Sequence, residues 1–121
     1  MEQPGGYVTT HVLDTSLGIP ASGMQIDVYR LDGEARTLLA TVATNVDGRT
    51  DVPVIAGGDV AETSYELAFH AGTYLDSKHG VSAGVRFLDL IPIRFGITDA
   101  TQHYHVPLLL SPFGYSTYRG S

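Results

Sequence analysis

The segment SYELAFHA, residues 64–71, carries the pattern that decides the fold. Its large apolar side chains, Tyr65, Leu67 and Phe69, occupy every second position. Polar or small residues, of which Glu66 is the most polar, stand between them. Because successive side chains of a β-strand point to opposite faces, this alternation is typical of a strand with one buried face and one exposed face. The segment therefore predicts a half-buried strand.

The same two-residue period extends over most of the chain. It is clear in MQIDVY, residues 24–29, and in LIPIRFGI, residues 90–97, and segments rich in turn-forming residues separate such runs. The pattern predicts strands at residues 7–13, 24–31, 36–45, 51–55, 63–71, 84–96, 102–110 and 113–119, with one short helix at residues 72–80. Short strands at this spacing favour an all-β fold, a two-sheet antiparallel β-sandwich of about eight strands.

Length and composition limit the class of protein. The 121 residues are close to the commonest domain size and predict a single domain, residues 1–121. The chain has no cysteine, which excludes disulfides and thiolate metal sites. Thirteen acidic residues stand against seven Lys and Arg, without a basic run, so neither nucleic acid nor an anionic membrane is an expected partner. An anionic ligand would need a local attraction, made by a particular arginine.

Targeting and membrane signals are not evident in the sequence. No apolar run approaches the roughly 20 residues that cross a bilayer. The first residues, MEQPGGYVTTHVLD, lack the basic and apolar regions of a signal peptide. We therefore expect a cytoplasmic protein with no membrane partner.

His103 and His105 form an H-x-H pair. On a strand this spacing puts both rings on one face, roughly 7 Å apart along it. Zinc uses such pairs, but a catalytic zinc site needs a third ligand, which His11, His70 or His79 would have to supply. A solvated pair and acid–base chemistry by at least one ring are the other interpretations, and the pattern alone leaves all three open.

His11 and Arg49 are further candidates. His11 shares one strand face with Thr9, which is polar enough to line a site, although a lone histidine is often only structural. Asp47 and Gly48 predict a tight turn in which the glycine takes a positive φ. Arg49 then projects from the first position after the turn. Most such arginines are solvated, but a bidentate, always charged group suits a negatively charged reactant.

The proline at position 107 predicts an exposed sheet edge. Pro107 has no N–H for a ladder hydrogen bond, so its strand should be an edge strand or contain a bulge. The segment that follows, LLLSPFGY, is apolar and β-prone, and a bare edge of this kind invites association. We therefore expect the chain to pair with a second copy, as a symmetric dimer or tetramer.

The closing stretch HYHVPLLLSPFGYSTYRGS, residues 103–121, concentrates polar chemistry. Its YRGS motif adds the phenol of Tyr118, the guanidinium of Arg119, backbone donors at Gly120 and the hydroxyl of Ser121. A strand through residues 113–119 would hold this stretch in the sheet. Since the chain has no cysteine and no recognised serine-nucleophile motif, these residue types favour hydrolysis by an activated water.

Three separated motifs resemble the transthyretin-like family, and within it the 5-hydroxyisourate hydrolases. THVLDTSLGIPASGMQIDVY resembles the opening segment of these enzymes, TNVDGRTD their arginine turn and HYHVPLLLSPFGYSTYRGS their closing signature. The resemblance covers essentially the whole chain, and YRGS is its most specific part. Transthyretins proper, which carry thyroid hormone, lack this tetrapeptide and the combination of histidines and arginine.

The resemblance implies an assembly as well as a fold. It implies the transthyretin-like (prealbumin-like) sandwich of eight strands and one short helix. It also implies a homotetramer, a dimer of dimers in which edge strands join the dimers, with the sites in a channel at the dimer–dimer interface. The ordered end of the chain would then form part of the channel wall.

The resemblance further implies which residues act. His11, Arg49 and His105 match the catalytic positions of the family, whereas His103 has no matching role. His105 would activate water, His11 would orient substrate or water and relay protons, and Arg49 would bind the anionic ring and stabilise the oxyanion. His11, Arg49, Tyr118, Arg119, Gly120 and Ser121 match the substrate-binding positions, with Ser121 setting a histidine tautomer.

The implied reaction is hydrolysis of 5-hydroxyisourate to 2-oxo-4-hydroxy-4-carboxy-5-ureidoimidazoline in urate breakdown. It requires no metal and no organic cofactor. A non-catalytic carrier of a small apolar ligand, built on the same fold, is the alternative function. A metal-dependent hydrolase that uses His103 and His105 is a second alternative.

Overall fold

A computed structural model describes residues 5–120 of the chain, and its elements alternate short strands with tight turns. The strands are β1 (Tyr7–Asp14), β2 (Ile19–Pro20), β3 (Gln25–Asp32), β4 (Ala35–Ala43), β5 (Ser64–His70), β6 (Leu90–Gly96), β7 (His103–Ser111) and β8 (Gly114–Thr117). One helix, α1 (Ala71–His79), follows β5 directly. The predicted all-β fold with one short helix is confirmed.

The strands form two four-stranded sheets. Sheet A has the order β2-β1-β7-β8, and sheet B has the order β4-β3-β5-β6. Neighbouring strands run antiparallel except β1 and β7, which pair in parallel from Tyr7–His103 to Asp14–Leu110. Parallel neighbours need a long connection, and here the whole of sheet B and α1 lie between them in the chain. The first and the seventh strands thus become the centre of sheet A.

The core lies between the two sheets and follows the predicted alternation. In β5, Tyr65, Leu67 and Phe69 are all at most 1% exposed and face the core. In β1, Val8 and Val12 are fully buried, and one cluster of buried apolar side chains joins both sheets. The residues that alternate with them point away from the core. The odd-numbered positions of β1 and β7 therefore lie on the outer face of sheet A. In β5 the alternating residues are buried as well, since Glu66 and Ala68 are each 1% exposed, so the prediction that this strand has an exposed face is wrong.

Several strands differ from the sequence prediction. β4 ends at Ala43 rather than at residue 45, and β8 covers Gly114–Thr117 rather than 113–119. The predicted strand at 51–55 is a bend that meets β1 only at one bridge, between Val8 and Ile55, because this segment has no neighbouring strand along its length. The two-residue strand Ile19–Pro20 was not predicted, since two residues cannot show an alternating pattern. The predicted strand at 84–96 begins only at Leu90.

The prediction that Pro107 lies on an edge strand or a bulge is wrong. Its strand, β7, is the inner neighbour of both β1 and β8. The carbonyl oxygen of Pro107 accepts a hydrogen bond from Thr117 Oγ1 at 2.7 Å and therefore points toward β8. Because the N–H and C=O of a strand residue point to the same neighbour, the N–H that proline lacks would also face β8. The β7–β8 ladder ends at the Leu108–Thr117 pair, and one bridge, His105–Gly120, continues the same register beyond it. The missing N–H therefore falls in the gap between the ladder and this bridge.

Histidine–carboxylate contacts lie at both ends of α1: one joins the helix to sheet A, and the other joins β5, just before the helix, to β3 within sheet B. His79, its last residue, lies 2.7 Å from Asp14 Oδ2 of β1, and the hydroxyl of Tyr74 donates to the same oxygen at 2.9 Å. At its other end, His70 Nε2 lies 2.8 Å from Asp27 Oδ2 of β3. Burial opposes ionisation of Asp14, but the hydrogen bonds that it accepts outweigh burial and hold its pKa below the usual value. Within residues 5–120, no helix has the length and apolar character needed to span a membrane.

Candidate active site

A cluster of imidazoles lies on the outer face of sheet A, where β1 and β7 run side by side. The parallel register places Tyr7 beside His103 and Thr9 beside His105. The residue between the two histidines, Tyr104, is 4% exposed and points into the core. Both imidazoles therefore point to the same side, as the H-x-H spacing predicts.

One hydroxyl group contacts both rings of the pair. Thr9 Oγ1 lies 2.6 Å from His103 Nε2 and 2.8 Å from His105 Nδ1. The ring of Tyr7 stacks on His103, with centroids 4.2 Å apart and planes 9° from parallel. The rings of His103 and His105 are 6.2 Å apart and tilted by 58°. The pair is thus held by hydrogen bonds and stacking rather than left to solvent.

The turn that carries Arg49 is fastened to β1. Gly48 has a φ of 74°, as the sequence predicted, and its carbonyl accepts a hydrogen bond from Val12 N at 2.8 Å. A β-carbon at this position would collide with the carbonyl oxygen of Val12. The side chain of Asn45 organises the turn, since its Oδ1 accepts from the backbone N–H groups of Asp47 and Arg49. Only glycine fits both the backbone angle and this close approach.

His11 lies opposite Arg49. The two residues form an isolated antiparallel bridge, so the arginine turn runs alongside β1 at this position. By alternation, the side chain of His11 is on the same outer face as Thr9. The fold thus brings together three residues, His11, Arg49 and His105, that are far apart in the sequence.

An open pocket of about 460 Å³ lies over the imidazole pair. Its lining combines aromatic, hydroxyl, charged and imidazole groups: Tyr7, Thr9, Thr10, Arg49, Thr50, Asp51, Val52, Pro53, His103 and His105. His11 is not part of this lining. Such a volume suits a small molecule, and its polar groups suit a ligand with several hydrogen-bonding atoms.

The electrostatic environment favours a neutral His105. Burial is the largest cause that lowers the pKa of this half-buried imidazole below its usual value. The positive charges of Arg49, His103 and His11 lower it further. Within residues 5–120, no carboxylate is paired with Arg49 or with either ring of the H-x-H pair. An imidazole that is neutral near pH 7 can accept a proton, and a free guanidinium can bind an anion.

The terminal segment reaches the imidazole pair through its backbone. Gly120 N–H donates to the carbonyl oxygen of His105 at 2.8 Å. A β-carbon on Gly120 would lie 2.7 Å from His105 Cδ2, so the glycine backbone packs directly against the ring. Opposite Pro107 in the continued register stands Tyr118, which is 59% exposed. The segment thus borders the His105 ring.

Arg119 points away from the imidazole pair. Its guanidinium lies 4.2 Å from the ring centroid of Tyr104, which faces the core side of sheet A. It also donates to Gln102 Oε1 at 2.9 Å and to the carbonyl oxygen of His103 at 3.3 Å. Alternation explains this direction, since Gly120 and Arg119 are adjacent and must face opposite sides. Ser121, the last predicted site residue, lies outside the described residues.

Two side chains at the site, those of Thr9 and Tyr7, were not among the predicted site residues. Thr9 is a polar residue in the sequence, but its contacts with His103 and His105 depend on the register of β1 against β7. Tyr7 was not singled out, although an aromatic ring two residues before Thr9 is a signal that it shares the same strand face. Within residues 5–120, no group of three or more His, Asp or Glu side chains is arranged to hold a metal ion.

Comparison with known proteins gives consistent matches over nearly the whole chain. Residues 8–120 match the model of the HIUase/Transthyretin family. The chain is 60% identical over 116 residues to 5-hydroxyisourate hydrolase 2 of Rhizobium meliloti (strain 1021), which covers 96% of this chain and 97% of the relative. It is 50% identical over 119 residues to 5-hydroxyisourate hydrolase of Pseudomonas aeruginosa, which covers 98% of this chain and 94% of the relative.

Solved structures give the same result. A structure of (S)-allantoin synthase superimposes with a TM-score of 0.90 and 46% identity, covering 98% of this chain, which spans only 45% of that longer chain. The chain of Klebsiella pneumoniae 5-hydroxyisourate hydrolase superimposes with a TM-score of 0.74 and 33% identity, covering 96% of this chain and 99% of that one. With a family model that matches residues 8–120 and relatives of such identity, the chain belongs to the HIUase/Transthyretin family.

Proposed function

We propose that the protein hydrolyses 5-hydroxyisourate to 2-oxo-4-hydroxy-4-carboxy-5-ureidoimidazoline in urate catabolism. The names of its relatives at 50% to 60% identity support this activity. The observation that carries it is the imidazole of His105, with its lowered pKa, at one open pocket with the guanidinium of Arg49, which pairs with no carboxylate of residues 5–120. These are the two groups that hydrolysis of a cyclic, anionic amide needs.

In the proposed mechanism His105 is the general base. Its neutral ring takes a proton from a water molecule while the water oxygen bonds to the carbonyl carbon of the substrate ring. The carbonyl electrons move onto oxygen, and the guanidinium of Arg49 stabilises this oxyanion. When the oxyanion collapses, the ring C–N bond breaks and the nitrogen takes the proton from the His105 imidazolium. Water is consumed, and His105 returns to its neutral state.

Other residues bind and align the substrate in this proposal. His11, beside the arginine turn, orients substrate or water and relays protons. Tyr118 contacts the substrate, and Gly120 holds the terminal segment against the His105 ring. Arg119 anchors that segment through Tyr104 and serves substrate binding indirectly. A role for Ser121 at the end of the motif stays a prediction.

We propose further that the protein is a homotetramer, a dimer of dimers with its sites at the dimer–dimer interface. The free edges of the two sheets carry exposed apolar side chains, Leu90 on β6 and Tyr115 on β8, which are 49% and 46% exposed. Beside them Phe87 and Phe113 are 73% and 79% exposed, with ring centroids 6.1 Å apart. Apolar groups clustered in this way form a surface that a partner covers.

The test generates 5-hydroxyisourate in place from urate and urate oxidase and follows the decay of its ultraviolet absorbance. The protein should accelerate this decay above the spontaneous rate, and Arg49→Ala should lower kcat/KM on the order of 10²-fold, since it removes the oxyanion partner. Arg30→Ala, which removes an exposed arginine paired with Asp32, is the matched control and should keep normal turnover.

Two outcomes would overturn the proposed function. If the wild-type protein does not change the decay rate, it is not this hydrolase, and titration with small apolar ligands would then test the carrier alternative. If Arg49→Ala turns over normally, the arginine is not part of the mechanism. Sedimentation of the same preparation should give the mass of four chains, and a monomer would contradict the assembly.

A further inference from the structure

A single hydroxyl group, that of Thr9, lies within hydrogen-bonding distance of both imidazoles of the pocket and therefore influences which ring nitrogens carry protons. We propose that Thr9 is a positioning residue that sets the tautomer of His105. In this arrangement His103 accepts the hydrogen bond that the Thr9 hydroxyl donates. The inference rests on the proposed function, because it concerns how His105 becomes a base. It follows from the two contacts of Thr9 Oγ1, at 2.6 Å to His103 Nε2 and 2.8 Å to His105 Nδ1.

The hydroxyl of Thr9 has one proton to donate and can accept two hydrogen bonds. If both facing ring nitrogens carried lone pairs, only one of them could receive that proton, and the other would face an oxygen lone pair. If both nitrogens donated to Thr9, the proton of the hydroxyl would have no partner in either ring. When one nitrogen donates and the other accepts, both short contacts are hydrogen bonds and the hydroxyl proton is also used. The tautomers of His103 and His105 are thus coupled, although the rings do not touch.

Only one of the two arrangements makes His105 a base. When His105 Nδ1–H donates to Thr9, its Nε2 is left with a lone pair for water, and Thr9 donates to Nε2 of His103. In the reverse arrangement His105 carries its proton on Nε2 and cannot accept one there. The base-competent arrangement also persists through the reaction, because the imidazolium of His105 still donates from Nδ1. No hydroxyl needs to rotate when the proton arrives.

His103 is held where this coupling requires it. The ring of Tyr7 stacks on it at 4.2 Å, which restrains rotation of the imidazole. A protonated His103 would have to donate from Nε2, which removes the acceptor for the Thr9 proton and adds a positive charge near His105. Protonation of His103 therefore opposes the base-competent state of His105 in two ways.

Other groups around His105 also affect its proton affinity. From the arginine turn, Arg49 lowers the proton affinity of the ring, while Asp51 lines the same pocket and is bound by Asn45 Nδ2 at 3.0 Å. From β1, His11 adds a further positive charge when protonated. The terminal segment presents the uncharged backbone of Gly120. Acid should thus inactivate the site by protonating His105, whose pKa is lowered.

The direct test reads the ring protons by long-range ¹H–¹⁵N NMR of the full-length protein near pH 8, with signals assigned by His103→Gln and His105→Asn. The wild-type protein and Thr9→Ser, which keeps the hydroxyl, should show His105 protonated on Nδ1 and His103 carrying a lone pair on Nε2. Thr9→Val, which keeps the shape and removes the hydroxyl, should show His105 as a mixture of tautomers.

The kinetic test uses the same variants on 5-hydroxyisourate. Thr9→Val should lower kcat by about 10-fold with little change in KM, the size of effect expected from one lost hydrogen bond. Thr9→Ser should restore most of kcat. Thr41→Val, which removes a hydroxyl bound to Asp27 on the opposite sheet, is the matched control and should behave as wild type.

The outcomes separate this inference from the proposed function. A wild-type hydrolase whose His105 carries its proton on Nε2 overturns the inference alone, and so does a Thr9→Val variant with unchanged tautomers and unchanged kcat. A wild-type protein without hydrolase activity, but with the coupled tautomers, overturns the proposed function and supports the hydrogen-bond assignment.

Discussion

The histidines on the two sides of the molecule have opposite chemical surroundings. His70 and His79, at the two ends of α1, each lie within 2.8 Å of a carboxylate oxygen. His103 and His105, on the outer face of sheet A, share a threonine hydroxyl instead, and among charged groups Arg49 does most to lower the pKa of His105. The same side chain is therefore used in two ways within one small fold.

The difference shows how surroundings select the role of a titratable group. The carboxylates beside His70 and His79 accept hydrogen bonds from these rings, so the two pairs act as clasps between neighbouring elements of the fold. Burial and nearby cations stabilise the neutral form, so His105 keeps a lone pair available near neutral pH. Removing a histidine on the outer face of sheet A should therefore lower turnover, whereas breaking a histidine–carboxylate pair at α1 should lower stability.

The largest expected effect is on turnover, from the pocket side of this comparison. His105→Asn removes the proposed base and should lower kcat/KM on the order of 10³-fold, within the usual range for loss of acid–base catalysis. His70→Asn is the matched control, since it removes an imidazole at the far sheet, and its turnover should stay near that of wild type. The assay of 5-hydroxyisourate decay measures both, and near-normal turnover of His105→Asn would contradict the proposed mechanism.

The second effect is on stability, from the helix side. Asp14 is fully buried, and Asp14→Asn leaves His79 without a charged partner, so the free energy of unfolding should fall by about 3 kcal/mol at pH 7. Asp27→Asn removes the corresponding partner of the more exposed His70 and should cost about 0.5 kcal/mol. Urea denaturation measures both values, and equal losses would show that burial does not distinguish the two clasps.

The contribution of Asp14 should also depend on pH in a defined direction. Its pKa in the folded protein is lowered from the ordinary value of 3.8, so the unfolded chain binds the proton more tightly. The stabilisation is therefore complete above that ordinary value and is lost as the pH falls through the lower pKa of the folded state. The wild-type protein and Asp14→Asn should converge in stability in strong acid, and a gap that widens there would contradict this sign.

The smallest effect concerns the fit of the terminal segment against the pocket. A methyl group on Gly120 would press against the His105 ring, so Gly120→Ala should displace the imidazole and lower kcat by about 10-fold with an intact fold. Gly84→Ala places a methyl group in open space and is the matched control. An active Gly120→Ala variant would show that the ring tolerates a shift at this contact.

The period of two allowed much of the fold to be predicted, because it depends only on neighbouring residues. Tyr65, Leu67 and Phe69 are buried as expected, and β5 lies at 64–70. The segment 51–55 was wrongly predicted as a strand, since apolar residues form a strand only if another strand lies beside them. No local pattern reports which strands become neighbours, so the position of Pro107 inside sheet A was not foreseen.

Some residues of the candidate site could be predicted from the sequence, whereas others depend on the tertiary structure. Family motifs identified His11, Arg49 and His105, and the fold places them near one another. The role of Thr9 depends on the β1–β7 register, which is a property of the tertiary structure. The direction of Arg119, in contrast, could have been deduced from alternation once Gly120 was placed against His105.

The parallel pairing of β1 with β7 also constrains how the chain folds. Thr9 and His105 are 96 residues apart, and at ordinary rates of translation a ribosome needs roughly 5 to 20 seconds to synthesise that length of chain. The residues of sheet B, from β3 to β6, are all synthesised within that interval, whereas β1 still lacks its central neighbour. Long-range contacts of this kind form late and slowly. During biosynthesis the pocket is thus among the last parts of the molecule to exist, and the nascent N-terminal strand is the part most dependent on protection from aggregation.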